Sequence, residues 1–185
     1  MSGALKTAFA PIIGGRPRLL ILGSMPGEAS LRLGQYYGHR RNAFWPILCD
    51  LLAIPADSDY ATRTAALRAA RIALWDVIAA CEREGSLDAS IRRDSIRVND
   101  FGALLDTHPS IACIAFNGGT AEREFQRRVR PSLAERHRRI ERVRLPSTSP
   151  AHAGMSFAVK RAAWRDLLRR LGLVADGPPS RAEDR

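Results

Sequence analysis

The sequence predicts a three-layer α/β/α sandwich whose central, mostly parallel sheet has about four strands. Apolar runs of strand length alternate with amphipathic segments of helical period, a pattern typical of parallel sheets covered on both faces. The chain has 185 residues, of which 45% are hydrophobic and 26% charged, values ordinary for one globular domain. We therefore expect a single domain over residues 1–174 and a disordered tail over the polar residues 175–185.

Four segments match buried strands. The runs "RLLILG" (18–23), "IALWDVI" (72–78) and "IACIAFN" (111–117) are almost continuously apolar, as expected when both sheet faces are covered. The run "RIERVRLP" (139–146) alternates apolar and charged residues. We expect this last strand to lie nearer an edge of the sheet.

Five segments have helical patterns, and they lie between or after the predicted strands. They cover residues 42–53, 60–70, 99–109, 119–129 and 156–172. Asn99 or Asp100 is a suitable N-cap for the third helix, and Ser156 for the fifth. Gly172 is suited to the position just after the last helix.

The net charge of +10, from 29 Lys and Arg against 19 Asp and Glu, favours a polyanionic partner, most simply nucleic acid. Cys49, Cys81 and Cys113 form no CxxC pair, which argues against a metal centre or a disulfide framework. We expect no metal and no cofactor. The sequence contains no signal-peptide pattern and no run long enough to span a membrane. We expect a cytoplasmic monomer that does not bind membranes.

Small and polar residues follow each predicted strand at its carboxyl end, where ligands bind in sheets of this class. They are "GSMPG" (23–27), "WD" (75–76), "FNGG" (116–119) and "LPSTSPAHA" (145–153). Since the carboxyl ends of parallel strands meet at one edge, these segments predict a single site.

Several of these residues have two interpretations. The "GSMPG" loop offers backbone N–H groups to an anion, but it lacks the dinucleotide and P-loop patterns and also suits a plain tight turn. The hydroxyls of Ser147, Thr148 and Ser149 suit DNA phosphate oxygens or local turns. Asn117 suits a base edge or a helix cap.

The aromatic residues between the first strand and the first predicted helix also allow two roles. Tyr36 and Tyr37 lie outside any helical stripe, so one ring is available to a planar base, although core packing is the usual role of tyrosine. Trp45 lies within the helical pattern and is expected in the core.

Over about residues 9–171, the chain resembles the uracil-DNA glycosylase superfamily in the order and spacing of four segments. They are "ILGSMPGEAS…GQYYGHRRNAFWP", "LWDV", "FNGGTA" and "LPSTSPAHA". The hypoxanthine-DNA glycosylase branch is the most similar, and the mismatch-specific uracil glycosylases are more distant. The resemblance implies a monofunctional base-excision repair enzyme acting on damaged DNA, duplex or single-stranded. Such an enzyme flips out a deaminated base, uracil or hypoxanthine, and hydrolyses its N-glycosidic bond to leave an abasic site.

The resemblance also implies roles for individual residues. The base pocket is lined by Gly23, Ser24, Met25 and Pro26. Tyr37 stacks on the base, and Asn117 pairs with the base edge.

Three positions depart from the family pattern. Met25 stands where most relatives have an Asp or Asn that positions water, and the match of "HRRNAFW" to "HPxNRFW" implies Asn42 for that task. Ser147 stands where the family usually has a His or Asn that stabilises the leaving base, and His152, or the Asn117 amide with the loop backbone, are the candidates for that task. The intercalating residue falls near Ala151, whose side chain is short.

These departures favour one alternative, a non-catalytic binder of damaged or abasic DNA. A small Rossmann-like nucleotide-binding protein is a third interpretation, which the basic charge and the missing dinucleotide fingerprint disfavour. The only lysines, Lys6 and Lys160, are expected to lie away from the pocket loops. No lyase activity is therefore expected, because a lyase needs an amine that forms a Schiff base.

Overall fold

The computed structural model describes residues 5–175, which form two sheets and seven α-helices. The strands are β1 (Leu5–Thr7), β2 (Leu19–Gly23), β3 (Ile72–Asp76), β4 (Ile78–Glu82), β5 (Arg97–Val98), β6 (Cys113–Asn117) and β7 (Glu141–Leu145). The main sheet has the order β3-β2-β6-β7 and is parallel throughout. This confirms the predicted sheet of four parallel strands, with the alternating fourth strand at an edge.

The helices follow the predicted alternation with the strands. They are α1 (Glu28–Leu33), α2 (Phe44–Leu51), α3 (Tyr60–Ala69), α4 (Phe101–Thr107), α5 (Gly119–Glu124), α6 (Glu135–Arg138) and α7 (Phe157–Arg170). A π-helical turn, Phe125–Val129, continues α5. As predicted, the side chains of Asp100 and Ser156 cap α4 and α7 by accepting hydrogen bonds from backbone N–H groups.

One face of the main sheet is covered by α4 and the π-helical turn. The strand register places Trp75, Leu22 and Phe116 side by side on β3, β2 and β6. The ring of Phe101 on α4 lies 5.1 Å from that of Trp75, and the ring of Phe125 lies 5.2 Å from that of Phe116. These rings form one of the two helix–sheet interfaces.

A second aromatic group joins the helices of the other layer. Phe44 of α2 meets Trp164 of α7 edge to face at 5.7 Å, and Trp45 meets Tyr60 of α3 at 5.8 Å. Trp45 is 5% exposed, as predicted for a core residue. The helices therefore sandwich the sheet, as the sequence predicts.

The predicted strand 72–78 is too long, because it contains β3 and only the first residue of β4. β3 ends at Asp76, and β4 then pairs antiparallel with β1 and β5 in a three-stranded sheet that the sequence analysis missed. Met25, Ile78, Cys81 and Ile91 form a small core of their own there. Helices α1 and α6 were not predicted either, because six and four residues are too few to show a helical period. The predicted tail, apart from Ala175, lies outside the described residues.

Candidate active site

A cleft of about 780 Å³ opens at the carboxyl edge of the main sheet. Its walls come from the loops after β2, β4, β6 and β7 and from the segment before α2. Every residue to which the sequence analysis gave a catalytic, base-binding or phosphate-binding role lines it. The predicted convergence on one site is therefore present in the fold.

The loop after β2 is shaped by close packing at Gly23. A Cβ atom there would overlap Asp76 Oδ1 and lie 3.0 Å from the Tyr37 hydroxyl, so only glycine lets these two side chains meet above β2. Ser24 donates to both carboxylate oxygens of Asp88 at 2.9 Å. Met25 is 6% exposed and belongs to the core of the small sheet. Its role there is packing, which explains an apolar residue at this position.

Tyr37 has an unusual backbone conformation and a fixed ring. Its φ of +55° lies in the left-handed region, which is uncommon for a tyrosine and typical of residues constrained at functional sites. One ring face stacks on Phe44 at 3.9 Å between centroids. The neighbouring Tyr36 is buried, and its hydroxyl donates to backbone carbonyls. Both tyrosines line the cleft, but Tyr36 is a core residue, and Tyr37 is the more exposed of the two.

Asn42 lines the cleft immediately before α2 and is partly exposed. Its Oδ1 accepts a hydrogen bond from the N–H of Phe44 at 3.0 Å, while Ala43 occupies the N-cap position itself. This bond satisfies a backbone N–H in the first turn of α2, so Asn42 also caps the helix. An amide oxygen has two lone pairs, so Oδ1 can still accept a hydrogen bond from a water in the cleft.

Asn117 at the end of β6 is held at both ends of its amide by one residue. Nδ2 donates to Thr148 Oγ1 at 2.8 Å, and Oδ1 accepts from the Thr148 N–H at 2.9 Å. These two bonds fix which end of the amide carries the oxygen. The amide has one further N–H and one further lone pair, and the Tyr37 hydroxyl lies beside it. Asn117 does not cap the following helix, whose N-cap is Gly118.

In the loop after β7, the phosphate-binding role predicted for Thr148 does not agree with the structure. Thr148 is 1% exposed, and its hydroxyl accepts the bond from Asn117, so it positions an amide and does not suit a DNA phosphate. Ser147 and Ser149 are partly exposed, and each accepts a bond from a backbone N–H two residues ahead, at 3.2 Å. These bonds form local turns, which are the alternative to phosphate binding for the serine hydroxyls. Both hydroxyl protons are still available to donate to a phosphate oxygen.

His152 lies exposed at the rim of the cleft, and its carbonyl accepts a hydrogen bond from Lys160 Nζ at 2.8 Å. This corrects the expectation that both lysines lie away from the pocket loops. Lys160 is 6% exposed, and burial lowers the pKa of its ammonium group. Lys160 therefore anchors the loop after β7 to helix α7.

Asp76 is the most perturbed carboxyl group of the cleft. It is 3% exposed, and its Oδ2 accepts no hydrogen bond from residues 5–175. Burial raises its pKa to about 8, and the nearby Asp88 adds to the effect, while Arg83 opposes it. Burial, with Asp76 beside it, also raises the pKa of Tyr37. At neutral pH the Asp76 carboxyl and the Tyr37 hydroxyl are therefore largely protonated.

This burial predicts a pH-dependent stability. The unfolded chain releases the Asp76 proton near the ordinary pKa of 3.8, whereas the folded protein keeps it to about pH 8. The folded state thus binds more protons between these values, and the free energy of unfolding falls as pH rises. Asp76→Asn removes this titration, so its stability relative to the wild type should rise from pH 5 to pH 8 by up to about 1.4 kcal/mol per pH unit.

Denaturant unfolding of both proteins at several pH values measures that difference. The variant keeps all the titratable or charged groups that act on Asp76, which are Tyr36, Tyr37, Asp88 and Arg83. A stability difference that stays constant with pH would mean that Asp76 is ionised in the folded protein.

A buried arginine supports the cleft from below and was missed by the sequence analysis. Arg83 is 1% exposed, with its guanidinium donating to the carbonyls of Pro26 and Gly85. It thereby ties the loop after β4 to the loop after β2. An arginine normally lies at the surface, so nothing in the sequence around Arg83 indicated this role.

Positive charge lies around the cleft. Arg123 and Arg144 line it and pair with Glu124 and Glu122 at 3.3 Å each. Arg40 and Arg41, between Tyr37 and Asn42, are exposed. Within residues 5–175 there is no cluster of three metal-ligating side chains and no helix long and apolar enough to cross a membrane.

Comparison with known proteins identifies similar chains. The family model of the uracil DNA glycosylase superfamily matches residues 11–168. A hypoxanthine DNA glycosylase of Methanosarcina barkeri is 41% identical over 114 residues, 61% of this chain and 71% of the relative. That of Methanosarcina acetivorans is 35% identical over 149 residues, 76% and 93% of the two chains. The solution NMR structure of a candidate uracil DNA glycosylase from M. acetivorans superposes with a TM-score of 0.71 at 33% identity, covering 89% of this chain and 99% of that one.

Proposed function

Because this chain belongs to the uracil DNA glycosylase superfamily, we propose that it is a DNA glycosylase of base-excision repair. It hydrolyses the N-glycosidic bond of a flipped deaminated base, hypoxanthine or uracil, and leaves an abasic site. The main support is the convergence of Tyr37, Asn42 and Asn117 on one cleft. These three residues supply a stacking ring, a water-positioning amide and a base-pairing amide.

Base recognition rests on Tyr37 and Asn117. A base inside the duplex cannot reach the site, so it is extruded at a cost of a few kcal/mol. The Tyr37 ring face opposite Phe44 stacks on the base. Thr148 occupies the amide edge on which N–H and C=O lie side by side, so Asn117 offers either its second N–H to the C=O or its second lone pair to the N–H of a lactam edge. Hypoxanthine and uracil both have such an edge, and deamination creates it.

Bond cleavage rests on Asn42. Departure of the base leaves an oxocarbenium-like sugar, which must be met by an oriented water. The second lone pair of Asn42 Oδ1 holds this water, while its bond to the Phe44 N–H keeps the amide from rotating away. His152, exposed at the rim, donates to the departing base. The Asn42 dipole is fixed by its bond to the Phe44 N–H and acts where charge develops, which is the usual source of large rate effects.

DNA is held by phosphate contacts around the cleft. The hydroxyls of Ser147 and Ser149 donate to phosphate oxygens, and Arg40 and Arg41 supply positive charge beside the entrance. Such contacts fix the register of DNA without reading its sequence. The three cysteines are free and buried, which suits a reducing cytoplasm, and we propose that the protein acts there as a monomer.

A panel of oligonucleotides with one hypoxanthine, uracil, xanthine or normal base tests the function. Each is incubated in single- and double-stranded form, and abasic sites are scored by alkaline cleavage. We expect cleavage at hypoxanthine or uracil and none at the normal bases. Tight binding of damaged DNA without any abasic site would favour the non-catalytic binder, which the apolar packing role of Met25 keeps as the second candidate.

The positions of Lys6 and Lys160 predict the absence of lyase activity. Lys6 Nζ is engaged with Glu28 and the Gly85 carbonyl, and Lys160 Nζ with the His152 carbonyl. Neither side chain lines the cleft, so neither can attack the abasic sugar. Borohydride added during turnover should trap no covalent protein–DNA adduct. An adduct that persists in Lys6→Arg and disappears in Lys160→Arg would show that Lys160 leaves this bond and acts as a nucleophile.

A further inference from the structure

Four arginines surround the amino ends of β2 and β3, at the edge of the main sheet opposite the cleft. We call them the arginine patch: Arg16 and Arg18 before β2, Arg68 in the last turn of α3, and Arg71 directly before β3. Arg16, Arg68 and Arg71 are exposed, and Arg18 is partly exposed. None of the four lines the cleft. At about 3.3 Å per residue, β2 places Arg18 about 20 Å from Ser24 of the cleft.

Hydrogen bonds and packing hold the patch together. The N–H of Arg18 donates to the carbonyl of Arg71 at 2.8 Å, and Arg71 Nε donates to the carbonyl of Arg16 at 3.0 Å. A Cβ atom at Gly14 would lie 3.2 Å from Arg68 Cβ, so the segment before β2 packs on the end of α3. The fold therefore brings together two segments that are 55 positions apart in the chain.

Arg71 has a backbone conformation that favours a different residue. Its φ of +61° lies in the left-handed region, and it directly follows Ala70, the C-cap of α3. Glycine is the residue usually found there, since it adopts this conformation without strain. The turn itself therefore does not require an arginine, whose side chain contributes positive charge and the bond to Arg16.

The charge of the patch is not balanced by acidic residues nearby. Residues 1–27, 60–75 and 107–121 contain no Asp or Glu, and the amino ends of β2, β3 and β6 lie in these segments. Arg123 and Arg144 of the cleft pair with glutamates, whereas within residues 5–175 no carboxylate pairs with an arginine of the patch. The patch is therefore a site of uncompensated positive charge remote from the cleft.

A group of guanidinium side chains suits the phosphates of a nucleic acid. Arginine keeps its charge at physiological pH and binds phosphate through paired N–H donors. Duplex DNA has one negative charge for about every 1.7 Å of its axis, so one duplex can meet several of the four side chains. DNA held at the cleft has its contacts at the opposite edge of the sheet. The patch therefore stays free for another duplex.

We propose that the arginine patch binds a second DNA duplex while the cleft holds the first. The inference rests on the proposed function, which assigns the first duplex to the cleft. A protein that holds two duplexes can pass from one DNA segment to another without first dissociating, which helps a search for rare damaged bases. Since the contacts are to phosphates, the second duplex is bound without regard to its sequence.

The test uses the double variant Arg68→Gln/Arg71→Gly, in which glycine suits the positive φ of its position. The matched control is Arg127→Gln/Arg130→Gln, which removes two exposed arginines outside the cleft, in the π-helical turn and directly after it. Each protein is mixed with one equivalent of a short duplex carrying an abasic-site analogue. An undamaged duplex with a second fluorophore is then titrated in, and two-colour analytical ultracentrifugation shows whether both duplexes sediment with one protein chain.

We expect the wild type and the control variant to bind the second duplex, and Arg68→Gln/Arg71→Gly to bind it about tenfold or more weakly. The salt dependence gives an independent measure. Each phosphate contact contributes about 0.9 to the slope of log K against log salt concentration, so the patch variant should lose about 2 from this slope. Its single-turnover base release from a short lesion duplex should stay that of the wild type, because the patch lies outside the cleft.

Three results would overturn the proposal. The first is a wild type that binds only one duplex even at low salt. The second is equal weakening in the control variant, since net charge and not the patch would then be responsible. The third is preferential binding of polyglutamate at the patch, which would assign it to an acidic protein segment. Failure of the proposed function looks different, because the wild type would then release no base from the short lesion duplex.

Discussion

Replacing Asn42 with alanine is expected to lower the single-turnover rate of base release by about 100- to 1000-fold, because loss of one preorganised polar contact costs about 3–4 kcal/mol in the transition state. Met25 is buried in the small core and cannot take over this task. The variant also loses the bond to the Phe44 N–H, at a cost of about 1 kcal/mol of stability. Binding of abasic DNA should stay nearly unchanged.

Asn42→Ser separates the two roles of Asn42. A serine oxygen can accept the bond from the N–H of Phe44 but does not reach as far into the cleft. We expect this variant to regain the stability of the wild type, measured by thermal unfolding, and to remain slow in base release. Wild-type activity in Asn42→Ser would reduce Asn42 to a helix cap.

Replacing Asn117 with aspartate is expected to change the relative rates on different bases by tenfold or more, while DNA affinity changes little. Asp keeps the acceptor for the Thr148 N–H but loses the N–H that meets a base carbonyl. A site built to pair with a polar edge rejects bases that leave its groups unpaired. The rates on hypoxanthine, uracil and xanthine in one duplex context measure this change.

Thr148 offers the matched control for Asn117. Thr148→Ser keeps the hydroxyl that accepts from Asn117 Nδ2 and should keep the wild-type order of substrates. Thr148→Val removes this acceptor and leaves one end of the amide unfixed, so discrimination among bases should weaken. If Asn117→Asp lost the same factor on every base, Asn117 would serve only to join the loop after β7 to the sheet.

The parallel sheet and the place of the site could be predicted because both depend on local patterns. Continuous apolar runs mark buried strands, and polar residues at their carboxyl ends mark the ligand edge. The break after Asp76 could not be predicted in this way. The run continues apolar through Ile78, and only pairing with the distant strand β1 shows that a second sheet begins there.

The parts of the site that were missed depend on long-range contacts. Arg83 looks like a surface residue in the sequence, and only its bonds to Pro26 and Gly85 show that it is buried. Asp88 lies in a short turn without hydrophobic period. Thr148 was predicted as a phosphate contact because its hydroxyl could be seen in the sequence, whereas its partner Asn117, 31 residues away, could not.

Mass spectrometry of one hypoxanthine-containing duplex, incubated with an excess of the protein, tests most directly that this cleft hydrolyses a glycosidic bond. We predict that the damaged strand keeps its full length and loses the mass of the base, with water added, while free hypoxanthine appears in equal amount. Asn42→Ala should show almost none of this product in the same time. The opposite result is that the protein binds the damaged DNA tightly but leaves the mass of the strand unchanged, with both hypoxanthine and uracil. This result would contradict hydrolysis at the cleft and identify a binder of damaged DNA.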